Sequence, residues 1–288
     1  MNLSKFKYIL PILRLRLASM VIFSSAIGTL LAWEEFNLLR FVSFIFFTSL
    51  LVAGTCMMNA YIEREIDARM ERTKARVAAF TYFKEESILS FSLLLIILST
   101  LGLYLTTNPL TTVFAILASL IYLYAYTPLK RKTRYFVYIG AIPGALPPLM
   151  GYTAMTNHLN INALHLFLFL FIWQIPHFLA ISICHFKDYT TVGIKIFPQK
   201  IGISATKRMI ILTTFIMLLV ATLIPYWFEL TSLVSLVIMT LGGLALLYIS
   251  LEGLAIGSNF EDNQKWARRF YLGTVYYLPS IFLGLLIK

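Results

Sequence analysis

The sequence predicts an all-α fold, a polytopic membrane helical bundle of about nine transmembrane helices with its N-terminus in the cytoplasm. Three observations carry that expectation. Hydrophobic residues make up 59% of the 288 positions and charged residues only 13%, well below the charged share of a soluble domain. The apolar residues gather into runs that approach the roughly 20 residues a helix needs to cross hydrocarbon, where no unpaired backbone group finds a partner. And all of the 24 Lys and Arg except Arg40 and Lys288 fall on one side of the resulting topology.

Lys5, Lys7, Arg14 and Arg16 precede the first run, 17–33. No small-residue cleavage site follows it, so the run reads as a retained span and not as a signal peptide. The absence of a long Arg- and Ser-rich leader argues against import into an organelle. Spans 41–61 and 87–105 flank a charged connection, and 110–127 and 135–155 flank a basic one. Span 163–186 enters a third charged connection before 208–228, and 232–252 and 269–287 complete the set. The basic connections mark the cytoplasmic side, which leaves the C-terminus outside.

No linker, low-complexity tract or internal repeat interrupts the pattern, so 1–288 is expected to form a single membrane-embedded domain. The outer connections TTNP (106–109) and NHLNIN (157–162) carry no Lys, Arg, Asp or Glu. Chemistry is therefore expected on the cytoplasmic face. The net charge of +11 is explained by topology, which argues against a nucleic-acid partner. Cys56 and Cys184 lie in apolar segments without disulfide or metal-ligand spacing, as small buried side chains do.

Three stretches stand out. In NAYIEREIDARMERTKAR (59–76), Asn59, Glu63 and Asp67 are four apart and stack on one helix face, while Glu65 points away. Two carboxylates at that spacing repel, and an oxygen-liganded Mg²⁺ would offset the cost. Arg72, Lys74 and Arg76 follow, and guanidinium forks match phosphate oxygens, so the stretch suggests a metal-bridged diphosphate. A solvated helix end in which Glu63, Asp67, Arg69 and Arg72 pair among themselves is the plainer alternative.

The second stretch, 126–152, places Lys130, Arg131, Lys132 and Arg134 before a span that holds Gly140, Pro143, Gly144, Pro147 and Pro148. Topology and anionic membrane lipids account for most of the basic charge. The Pro and Gly residues point either to a kinked helix or to a broken one lining a pocket.

The third is FIWQIPHFLAISICHFKDY (171–189), with Trp173, Gln174, His177, His185, Lys187 and Asp188. His177, His185 and Asp188 are 8 and 3 residues apart, broadly one helix face, and would set two imidazoles and a carboxylate against one cavity. His158 and His165 carry no such context. A lone intramembrane histidine is also commonly a hydrogen-bonded core residue.

Together these stretches resemble the UbiA-type membrane prenyltransferases, and within them the branch that farnesylates protoheme IX. The first is similar to an NxxxDxxxDxxMxRTxxR signature through Asn59, Glu63, Asp67, Met70, Arg72, Thr73 and Arg76. The second is similar to a Y[TS]-x-x-KR loop and a G-x-x-PP-x-x-GY segment through Tyr126, Lys130, Arg131, Gly144, Pro147, Pro148, Gly151 and Tyr152. The third is similar to W-x-x-PH and F-K-D-Y elements through Trp173, Pro176, His177, Phe186, Lys187, Asp188 and Tyr189, and the WARR at 266–269 fits as well. The likeness runs in order from about residue 15 to 270. Two departures are Glu63, where Asp is usual, and ILRLRLAS (12–19), which has Arg14 and Arg16 in place of a usual Lys-Pro.

The resemblance implies the UbiA-type fold and transfer of a farnesyl group from farnesyl diphosphate to a vinyl group of protoheme IX. It implies Mg²⁺ on Asn59, Glu63 and Asp67, with Asp188 through a second ion, and Arg72, Arg76, Lys130 and Arg131 around the diphosphate. Some of the 23 Phe and 16 Tyr would line a dry pocket for the allylic cation. His177 is the candidate axial ligand of the iron, and His185 competes for that role or, with Lys187, holds a propionate or diphosphate. The resemblance also implies a bacterial inner membrane with a cytoplasmic active face, and a heme A synthase or terminal-oxidase assembly as candidate partner. Three other readings stand beside this one. They are a sibling enzyme prenylating an aromatic quinone precursor, a secondary transporter, and a non-catalytic heme-handling protein.

Overall fold

The computed structural model describes residues 7–287, so Lys5 and Lys288 of the charge pattern lie outside the described residues. Every regular element among the described residues is a helix. In chain order these are α1 (Leu10–Leu13), α2 (Leu15–Leu31), α3 (Leu38–Asp67), α4 (Ala78–Tyr82) and α5 (Glu85–Thr106). Helix α6 (Pro109–Leu120) passes through a π-helical turn, Ile121–Tyr126, into α7 (Thr127–Lys132). Then come α8 (Phe136–Thr156), α9 (Ile161–Cys184), α10 (Phe186–Thr191), α11 (Phe197–Trp227), α12 (Leu233–Ala255) and α13 (Phe260–Leu286).

A helix covers each of the apolar runs read from sequence. Seven helical stretches are long and apolar enough to cross a membrane, Leu10–Leu31, Leu38–Asp67, Glu85–Thr106, Pro109–Lys132, Ile161–Cys184, Phe197–Trp227 and Leu233–Ala255. The remaining two are less apolar: α8 is rich in Pro and Gly, and α13 opens with Glu261, Asp262, Lys265, Arg268 and Arg269. The chain is a multi-pass membrane protein. Its outward faces fit that environment, with Leu94, Ile97, Leu98 and Leu101 exposed along α5 and Leu241, Leu244 and Leu251 along α12.

Helix starts follow from the connections. Asn37, Asn108 and Asn160 accept from the backbone N–H of Arg40, Thr111 and Ala163, at 2.9, 2.9 and 3.0 Å. Each satisfies a donor that the first turn would otherwise leave unpaired. These three connections thus act as caps, and Pro109 adds a fixed φ at the first position of α6.

The fold comprises two compact units, one built from the chain up to Pro128 together with Leu146–Leu159, the other from Leu129–Ala145 and Asn160 onward. In the first unit α3 packs on α5, α2 and α1. Ile12 of α1 is buried with Met57, Ala60, Ala79 and Ile88, which ties α1 to the C-terminal half of α3. Helix α2 meets the second half of α8 at backbone distance: a Cβ at Gly28 would run into the Pro148 carbonyl, and one at Gly151 into the Ser25 carbonyl. Small residues at such crossings let two backbones touch.

In the second unit α9 packs on α11 and α13, and α12 on α11 and α13. The Gln174 side chain lies against Gly144 and donates to the Ala141 carbonyl at 3.1 Å. Helix α8 is continuous through its three prolines. Of the sequence alternatives for this span, a broken helix is the one that fails, and Gly144 and Gly151 serve close packing instead.

Gly28→Ala and Gly151→Ala should each cost about 1–3 kcal/mol of stability, since the added methyl meets backbone that cannot swing aside. Thermal unfolding in detergent measures this. Gly257→Ala, where a Cβ meets nothing within 4 Å, should leave the transition unmoved.

Candidate active site

The last turns of α3 place Asn59, Glu63 and Asp67 on one face, and all three are buried, at 0%, 6% and 3% exposure, while Glu65 is exposed. Two carboxylates buried there meet two costs. They lose water, and they sit at the helix end where the carbonyl dipoles already concentrate negative charge.

Arginines from outside the helix offset both. Arg14 Nη2 lies 3.3 Å from Glu63 Oε2, and Arg14 Nη1 donates to the Tyr122 hydroxyl at 2.6 Å. The backbone at Arg14 is left-handed, φ 50° and ψ 53°, which ends α1 and starts α2. A non-glycine residue there is strained by roughly 1–2 kcal/mol, and the two bonds of its guanidinium offset that strain.

Asp67 is held by Arg76, whose Nη1 reaches both carboxylate oxygens at 3.3 and 3.2 Å. Arg76 stands on the short 3₁₀ turn Lys74–Arg76, and the Thr73 hydroxyl donates to the Asp67 carbonyl at 3.1 Å, which closes the helix end. Burial, followed by the nearby charge of Arg14, lowers the Arg76 guanidinium below its ordinary pKa, and Asp67 pulls it back up.

Asn59 differs. Its Nδ2 donates to Thr127 Oγ1 at 2.8 Å, and that hydroxyl donates to the Tyr122 carbonyl at 2.8 Å. The hydroxyl proton is spent on a carbonyl that can only accept, so Thr127 fixes which end of the Asn59 amide faces it. Asn59 Oδ1 is left buried with no hydrogen-bond partner. The carbonyl that Thr127 engages is five residues back, available because the π-helical turn places it there; such turns are frequent at functional sites. Tyr122 and Tyr126 of that turn stack at 5.4 Å.

A lone buried oxygen beside two carboxylates is the donor chemistry of a hard cation. Among the described residues no three His, Cys, Asp or Glu side chains come together. The set is therefore two carboxylates and an amide, the small number that Mg²⁺ accepts when phosphate oxygens and water supply the rest. The residues fit that ion.

The other predicted residues are distributed as follows. Arg72 is exposed in the turn after α3. Lys130 and Arg131 stand at the end of α7, where the Lys130 carbonyl accepts from the Lys195 N–H at 2.9 Å. His177 is half-buried on α9, its Nδ1 2.7 Å from Thr274 Oγ1 and its ring stacked on Trp173 at 4.7 Å. Lys187 is exposed with its Nζ 5.5 Å from the Phe260 ring, and Asp188 is half-buried in the first turn of α10.

His185 corrects the sequence reading. It leaves helical geometry at φ −108° and ψ 31°, ending α9 at Cys184 before α10 starts at Phe186. The periodicity that put His177, His185 and Asp188 on one face does not carry across this break. Sequence reasoning also left Arg14, Tyr122, Thr127 and Thr274 out of the site. The signal for Arg14 was its place in ILRLRLAS, where a Lys-Pro is usual, and Thr127 sits within the Tyr126–Arg131 motif; Thr274 gave none.

The sequence profile of the UbiA prenyltransferase family matches residues 21–275, and the chain belongs to that family of membrane prenyltransferases. The curated relatives narrow the likeness. A protoheme IX farnesyltransferase of Anaeromyxobacter sp. (strain Fw109-5) is 34% identical over 292 aligned positions, covering 99% of this chain and 94% of that one. Another, from Protochlamydia amoebophila (strain UWE25), is 36% identical over 85% of each chain. In fold, the chain is similar to a digeranylgeranylglyceryl phosphate synthase, with a TM-score of 0.80 at 18% identity over 98% of both chains. A UbiA homolog from Archaeoglobus fulgidus bound to DMAPP and Mg²⁺ superposes with a TM-score of 0.66 at 13% identity, over 94% of this chain and 99% of that one.

Arg14→Met should destabilise the protein by about 3–5 kcal/mol, because it leaves Glu63 a buried charge without this partner. Arg14→Met combined with Glu63→Gln should recover most of that loss in the same unfolding assay. A double variant no more stable than the single one would show that the two residues act independently.

Proposed function

We propose that this chain transfers the farnesyl group of farnesyl diphosphate to a vinyl group of protoheme IX, giving heme O and diphosphate. The observation that carries the reading is the buried face of α3, two carboxylates and an amide oxygen held ready by Arg14, Arg76 and Thr127. The names and coverage of the curated relatives support farnesyl and heme as the two substrates.

Asn59, Glu63 and Asp67 would hold Mg²⁺, and Asp188 is assigned to a second ion. Bound there, the cation would offset charge building on the diphosphate as its bond to carbon breaks. Arg72, Arg76, Lys130 and Arg131 take the diphosphate oxygens, an electrostatic role that is strongest where water is excluded. The allylic C–O bond ionises, and the electron pair leaves with diphosphate. The stacked faces of Tyr122 and Tyr126 are suited to the farnesyl cation. The vinyl carbon then attacks, and water adds to the resulting cation beside the porphyrin ring and loses a proton, which leaves the hydroxyl of heme O.

His177 presents an imidazole for the iron, and His185 competes for that role or, with Lys187, holds a propionate or diphosphate. Residues 1–288 are read as one membrane-embedded domain spanning the bacterial inner membrane nine times, with N-terminus and active face cytoplasmic. The charge bias supports that orientation. A heme A synthase or terminal-oxidase assembly is the expected recipient of the product.

Purified protein with farnesyl diphosphate, Mg²⁺ and protoheme should yield heme O by mass detection. Product on an aromatic quinone precursor, with none on heme, would overturn the acceptor. Asp67→Asn should lower turnover by about 10²-fold or more while the protein stays folded; activity above about a tenth of wild type would contradict the metal role. Glu63→Asp should keep or raise turnover, since it restores the family's usual ligand length. Complete loss would mean that the site is built around the longer side chain that reaches Arg14.

A further inference from the structure

We propose that Thr274 is a positioning residue: it locks His177 in the one tautomer that presents Nε2, with its lone pair, to the iron of a metalloporphyrin. The inference rests on His177 as the acceptor's ligand and adds how the protein prepares it.

A threonine hydroxyl has one proton, and here that proton is committed. Thr274 Oγ1 donates to the Tyr271 carbonyl at 2.6 Å, and a carbonyl can only accept. Toward His177 Nδ1, 2.7 Å away, the hydroxyl therefore offers a lone pair, and Nδ1 must carry the proton. In neutral imidazole the other nitrogen then holds the free pair that binds metal.

The ring plane is fixed as well. Trp173 stacks on it at 4.7 Å and 19°, and Tyr271 meets it edge-on at 5.9 Å and 88°. The indole Nε1 of Trp173 donates to the Thr274 carbonyl at 2.9 Å. One turn of α13 thus orders both the imidazole and the ring beneath it. A metal-bound histidine needs this outer hydrogen bond to set its tautomer and direction.

His165, on the same helix, provides the internal contrast. Its Nε2 meets the Val220 carbonyl at 3.1 Å, which puts the proton on Nε2, and its Nδ1 is buried without a partner. That is the arrangement of a histidine that only fills space. His177 has the opposite tautomer and an outer hydroxyl in relay. An aromatic acceptor gains nothing from such an arrangement, whereas iron with an open axial position does.

The test uses the full chain in detergent with ferric protoheme, following the absorption spectrum through a titration. Thr274→Val keeps the shape and removes the hydroxyl; it should weaken heme binding on the order of 10-fold and shift the ligand-dependent bands toward those of His177→Ala. Thr274→Ser should restore wild-type behaviour. If His177→Ala leaves the spectrum unchanged, the ligand reading falls and this inference with it. If His177→Ala changes the spectrum but Thr274→Val does not, only the role of Thr274 is overturned. A second measurement needs no foldable Thr274 variant. In the unsubstituted protein with ¹⁵N-labelled histidine, the resonance that disappears in His177→Ala should report a protonated Nδ1, and a protonated Nε2 would overturn the proposal.

Discussion

The structure is organised around a negative charge that a membrane protein can hardly carry unaided. Glu63 and Asp67 are buried at the C-terminal end of a 30-residue helix, where the carbonyl dipoles of the last turn add to their charge. Three local irregularities of the first unit answer that load. The left-handed break at Arg14 turns a guanidinium inward to Glu63, and the 3₁₀ turn brings Arg76 back to Asp67. The π-helical turn sets Tyr122 to receive Arg14 and Thr127 to orient Asn59. Breaking any of these would strand a charge or a polar group that lipid cannot solvate.

The second unit shows the same economy with polar groups. Lys207 is buried, but its ammonium donates to the Ile256 carbonyl just past the end of α12 at 2.9 Å, where a cation suits the helix dipole. His165 and Gln174 satisfy backbone carbonyls. His177 alone among these groups bonds a hydroxyl that relays to a carbonyl. Polar side chains within spans are costly enough that such a difference carries meaning.

Much of this was legible in the sequence because the physics is local. Apolar run length fixed where helices lie, and a spacing of four put Asn59, Glu63 and Asp67 on one face with Glu65 off it. What sequence could not show depends on residues far apart or on a single dihedral angle. Arg14 and Glu63 are separated by 49 positions, and nothing between them signals the contact. The break at His185 is one residue's φ and ψ, invisible to a 3.6-residue period that otherwise runs smoothly from Trp173 to Asp188. The glycines of α8 were read as breakers or kinks, because composition cannot tell flexibility from the close approach of Gly151 to Ser25. The Thr274 relay lies beyond WARR (266–269) on α13, and no motif contains it.

The central claim is that the Asn59–Asp67 face of α3 is a divalent-metal site, and metal binding itself is the most direct readout. Mn²⁺ in place of Mg²⁺, titrated with inorganic diphosphate present, gives a paramagnetic signal that reports bound ion without any turnover. The account predicts saturable binding by the unsubstituted protein, and affinity weakened by about 10-fold or more in Asn59→Leu, which removes the unpartnered Oδ1 at similar volume. Equal Mn²⁺ affinity in the two proteins would contradict it and return the buried carboxylates to a purely structural pairing with Arg14 and Arg76.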